Sequence, residues 1–225
     1  MIQRVLAVGL IAGLVAGLAI AALQQVTTTP LIFAAEVYEA SAQAHDAVAD
    51  EGWKPAEGFQ RLVATGVADF GLAAGYALIL LGAMLLSGER VEPKRALCWA
   101  ACGFAATGLA TALGLPPQLP GAAEGDLIAR QIWWVATAIA TGAGLFVLLR
   151  RDEFFLKAFG ALLLLAPHVV GAPLPVRPES TVPAEFAARF AASSLTVQAV
   201  MWSLVGVAVG ATWRRFAARD FGATP

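Results

Sequence analysis

Six stretches of this sequence are apolar over roughly the length needed to cross a bilayer. They are Val5–Val26, Leu62–Leu86, Ala96–Leu115, Gln131–Leu149, Phe154–Val170 and Leu195–Trp213. A spanning helix takes about 20 apolar residues, each rising about 1.5 Å through about 30 Å of hydrocarbon. Charged residues make up 14% of the 225-residue chain, against about 25% in a soluble domain, too few to clothe a globule of this size. A net charge of -1 offers no field for a nucleic-acid backbone, and two cysteines exclude a disulfide scaffold. The expected fold is all-α: a polytopic membrane bundle of about six transmembrane helices in one domain, residues 1–225.

The first stretch exceeds the ~7–15 apolar residues of a signal-peptide core and is expected to stay as a helix. Its Gly9, Gly13 and Gly17 recur every four residues, which lines one helix face for close packing. The fifth stretch is the weakest. Lys157 lies in its first turn, and Pro167 is expected to kink or end it by removing a backbone donor.

Assigning the connecting segments to alternate sides sorts the charges. Ten basic residues fall on one side, among them Arg4, Arg90, Arg150 and Arg214; five fall on the other. The positive-inside rule then places both termini in the cytoplasm. The acids divide the opposite way, ten outside and five inside, with Asp69 left within the second stretch. A negative outer face concentrates cations at its surface, and outer acids also serve simply to keep loops soluble.

Residues 27–61 form the longest outer segment. After Pro30 it reads as an amphipathic helix, with Glu36, Glu39, Gln43 and Asp46 at three- and four-residue spacing. Such a helix suits the membrane surface or the rim of a pore. The next outer loop carries Pro116, Pro117 and Pro120, which fix a stiff, extended path. Trp133 and Trp134 read as interfacial anchors of the following helix.

No Walker loop, Gly-x-Ser-x-Gly elbow or His-x-x-x-His pair occurs, so no enzyme chemistry is expected. Cys98 and Cys102, one turn apart, read as small packing residues rather than soft-metal ligands. A carboxylate inside a span is costly, which makes Asp69 a functional candidate. Counting along the helices puts Asp69 about 10 Å, and His168 about 9 Å, below the outer surface. Gln24, Gln25 and Gln198 fall near the same level. Asp69 and His168 are therefore expected to form one transient site, since imidazole with carboxylate, amide and carbonyl oxygen suits a borderline divalent ion. The rival reading has Asp69 pairing with an interfacial arginine such as Arg61 and His168 bonding a carbonyl. Glu36 and Glu39 are expected to shape the outer mouth. His45 is a weaker metal candidate, since on an unbroken helix it points about 180° from Glu36.

Several of these stretches together resemble the CbtA family of predicted cobalt transporter subunits. They are Thr29-Pro30-Leu31-Ile32 running into Ala35-Glu36-Val37-Tyr38-Glu39; Gly114-Leu115-Pro116-Pro117 with Leu119-Pro120-Gly121; Arg130-Gln131-Ile132-Trp133-Trp134; Pro167-His168 with Gly171-Ala172-Pro173; and Ser193-Ser194-Leu195 followed by Trp202. The resemblance implies cobalt uptake across the inner membrane, associated with cobalamin biosynthesis. It also implies a small one-helix partner, CbtB, that carries histidines. Co²⁺ is then cargo, with no tightly bound cofactor, and lipid and a homo- or hetero-oligomeric assembly are the expected surroundings. Gln118 departs from the acidic residue often found in the family's proline loop. The alternative reading is a non-transporting structural subunit of a larger membrane complex.

Overall fold

A computed structural model describes residues 1–43, 55–122, 125–175 and 180–222, without the side chains of residues 39–43 and 218–222. The described chain is helical, with no strand: α1 (Ile2–Val26), α2 (Thr29–Gln43), α3 (Phe59–Leu86), α4 (Pro93–Phe104), α5 (Ala110–Ala112), α6 (Leu127–Arg150), α7 (Phe154–Val170) and α8 (Ala184–Gly222). Of these, α1, α3, α6 and α8 are each long and apolar enough to cross a membrane, and α7 is a shorter apolar helix.

The chain divides into two compact units. One comprises residues 1–26, 50–101 and 197–225, and the other residues 27–49 and 102–196. In the first, α1 lies antiparallel to α3. Gly13 meets Ala74 and Gly17 meets Phe70, so four steps along one helix match four steps back along the other. A Cβ at Gly13 would stand 2.5 Å from the Ala74 Cα, and one at Gly17 2.7 Å from the Phe70 Cα. The glycine face is thus the α3-binding face. Around α1 the buried residues are mostly Gly and Ala, while Leu6, Leu10, Leu14, Val15 and Leu18 are exposed. Small inside and large outside reverses the pattern of a water-soluble helix and fits one solvated by lipid.

The same unit brings the two ends of the chain together. Arg4 Nη2 donates to the Trp213 carbonyl at 2.8 Å, and its guanidinium lies 4.0 Å over the Trp213 ring. Gly210 packs on Pro93, beside an ion pair between Arg95 and Glu89. These are segments that the charge count assigns to one side. Tyr76 stacks on Trp202 at 4.5 Å, joining α3 to α8.

In the second unit α2 begins at Thr29 with Pro30 in its first turn, where a missing N–H costs nothing. Its Ala35 is buried with Leu119 of the proline loop and Val182, and Phe186 and Phe190 close over them. Three segments assigned to the other side therefore share a small core. The Gly121 carbonyl reinforces it, accepting bonds from the Thr181 N–H and hydroxyl at 3.2 Å each.

Three elements differ from expectation. The Ala96–Leu115 stretch appears as α4, a π-helical turn over Ala105–Leu109 and α5, helical without a break from Pro93 to Ala112. Helix α7 runs through Pro167 and ends three residues later at Val170, where Gly171, with a φ of 82°, terminates it. Helix α8 starts at Ala184, well before Leu195, because an alanine-rich turn propagates helix readily and Phe186 and Phe190 anchor it. One cap was not foreseen: Asp126 Oδ1 accepts the Ala129 N–H at 2.8 Å, at the start of α6. Asp126→Ala is expected to lower stability by about 1 kcal/mol in thermal unfolding of detergent-purified protein.

Candidate functional site

Each candidate residue has its own setting. Asp69, in the first unit, is 8% exposed. The Gln24 amide donates to its Oδ1 at 3.2 Å, and Oδ2 has no hydrogen-bond partner among the described residues. Of the three amides expected near this level, Gln24 makes the bond. Gln24 lies two residues before the end of α1, so the carboxylate is level with the last turn of α1, while α3 continues for ten more residues. A carboxylate oxygen buried without a donor is costly, and it keeps an acceptor available for a cation.

His168 belongs to the second unit, half-buried in the last turn of α7. The Trp133 ring meets its imidazole edge-on, 6.1 Å between centroids, and Trp133 Nε1 donates to the Pro167 carbonyl at 3.2 Å. Gly114 and Ala172 close around the same indole, where a side chain at position 114 would collide with the ring. Three of the stretches that carry the family resemblance thus converge on Trp133. The anchor expected at an interface is instead a buried post that supports the turn bearing His168. Among the described residues the imidazole nitrogens make no hydrogen bond.

Glu36 sits half-buried on α2. Glu39 is on the same helix, its side chain outside the description, and His45 lies outside the described residues. Among the described residues no three His, Cys, Asp or Glu side chains come together. Gln118, the departure in the proline loop, accepts a bond from Arg130 Nη2, so the position holds the start of α6 to the loop.

Four helices long and apolar enough to cross a membrane, a fifth shorter apolar helix, and the small-inside, large-outside α1 mark a multi-pass helical membrane protein. A family model described as "Probable cobalt transporter subunit (CbtA)" matches residues 2–214, and the chain belongs to that family. The family is one of transporter subunits, so a further subunit is implied. No curated protein and no solved structure matches the chain.

Proposed function

We propose that this chain is the membrane-embedded subunit of a divalent transition-metal uptake system that carries cobalt inward across the cytoplasmic membrane. The observation that carries the reading is the family match over residues 2–214. Asp69 and His168 bind the passing ion, and Glu36 and Glu39 draw it to the outer face, with His45 a lesser contributor.

Six crossings are supported by the unbroken helical run from Pro93 to Ala112. Its 20 residues span about 30 Å, so it joins the four long helices and α7. The two clusters of same-side segments support an even number of crossings. Basic residues at Arg4, Lys94, Arg150 and Arg214 support cytoplasmic termini. A divalent ion moving inward gains about 4.6 kcal/mol per 100 mV, twice the single-charge value. The partner is a small CbtB-like chain that supplies further histidines.

Radioactive cobalt and nickel uptake, measured in cells with and without the chain and with and without the partner, tests the reading. Cobalt accumulation that requires the chain and exceeds nickel accumulation is the expected outcome. The description of the family as a subunit favours one rival, a structural component that carries no ion itself. Co-purification in a large complex, without any metal accumulation, would establish that rival.

A further inference from the structure

We propose that α6 and α7 enclose a sodium-ion site built from the hydroxyls of Thr137 and Thr141 and the backbone carbonyl of Leu163. Thr137 is 0% exposed and Thr141 4%, and neither hydroxyl has a hydrogen-bond partner among the described residues. This is anomalous within the molecule itself. Thr107, Thr111, Thr196 and Ser203 all turn their hydroxyls onto the carbonyl four residues back, at 2.8–2.9 Å. That bond is always within reach of a helical threonine, whatever surrounds it. The two most buried hydroxyls of α6 forgo it, and two oxygens so placed in an apolar interior need another partner.

Their position shows where that partner lies. Trp133, Thr137, Thr141 and Gly144 are the buried residues of α6 and, at spacings of four, four and three, they share one face. Both ends of this row touch α7. Trp133 bonds the Pro167 carbonyl, and a Cβ at Gly144 would stand 2.7 Å from the Gly160 carbonyl and 3.3 Å from the Leu163 Cβ. The two threonines, about 6 Å apart along the axis, therefore lie level with the α7 turn from Leu163 to Pro167. In that turn Pro167 carries no N–H, so the Leu163 carbonyl lacks its helical donor. Three oxygens without their ordinary partners thus lie at one level of the α6–α7 pair, between the Trp133–Pro167 bond and the Gly144–Gly160 contact.

The donor set selects the ion. All three oxygens are neutral. Dehydration cost rises with the square of the charge, so a divalent ion costs roughly four times what a monovalent ion does. No carboxylate on this face offsets that cost. Hydroxyl and carbonyl oxygens suit a hard alkali cation, and an interrupted helix commonly presents such carbonyls to sodium. The tight helix contacts above and below favour sodium over the larger potassium. The site gives an inward sodium gradient a place to act, whatever metal the chain carries.

Binding of ²²Na⁺ to the purified full-length protein in detergent, without transition metal, tests this directly. Saturable binding that unlabelled sodium displaces and potassium does not is the expected result. The isosteric double variant T137V/T141V should weaken it by about tenfold or more, whereas T137S/T141S, which keeps both hydroxyls, should retain it. If the double valine variant does not purify as a monodisperse protein, T137V and T141V singly carry the comparison. An absence of saturable sodium binding to the unaltered chain overturns the proposal, and so does equal binding by the valine variants. The cobalt reading is unaffected by either result.

Discussion

Gly13→Ala is expected to destabilise the protein by about 3 kcal/mol, and Gly71→Ala to leave it unchanged or slightly more stable. The chemical change is the same in both. At Gly13 the added methyl would stand 2.5 Å from the Ala74 Cα and 2.7 Å from its N, backbone atoms of α3 that cannot turn aside. At Gly71 no atom of the described residues lies within 4 Å of it. In a lipid environment there is no hydrophobic drive to hold α1 on α3, so close packing carries their association. Thermal unfolding in a fixed detergent measures the pair. Equal midpoints for the two variants would show that the glycine face does not bear the α1–α3 contact. Gly17→Ala adds a refinement. Its methyl would stand 3.2 Å from the Asp69 carbonyl carbon, so it should disturb the Gln24–Asp69 bond without altering any charge.

His168→Ala is expected to reduce cobalt accumulation by about tenfold or more with no fall in the amount of protein in the membrane. The imidazole packs edge-on against Trp133 and carries no hydrogen bond among the described residues, so its removal costs little structure. Asp69→Asn should have an effect of similar size, because it deletes the charge and keeps the shape and the Gln24 contact. Gln24→Leu should do less, since the amide orients the carboxylate and leaves Oδ2 in place. Uptake by the His168 variant at the unaltered level would remove that residue from the site. Loss of protein rather than of uptake would make it structural.

What could be read beforehand depended on whether a residue's role was local or relational. The glycine face of α1 was legible because a four-residue spacing is a property of the helix itself. Its partner was not, because every apolar helix is a candidate. Asp69 stood out since a lone carboxylate in an apolar run has a cost whatever surrounds it. The choice of Gln24 among three nearby amides depended on helix offset. Pro167 was visible as an interruption, yet α7 continues past it, because one lost backbone bond did not end the helix before Gly171. The π-turn at Ala105–Leu109 leaves no mark on a hydropathy pattern. Thr137 and Thr141 carry no signal in the sequence for a related reason: a threonine in an apolar helix normally satisfies itself.

The bond from Arg4 to Trp213 joins residues 209 positions apart. At about 5–20 residues per second, the ribosome needs roughly 10–40 s to make the second partner after the first. Throughout that interval α1 and α3 can pair through their glycine face, while the guanidinium still lacks the Trp213 carbonyl and ring. The order of synthesis thus separates an early helix hairpin from a late clasp. A chain interrupted after α3 but before its last helix would hold its opening helix docked but unlatched.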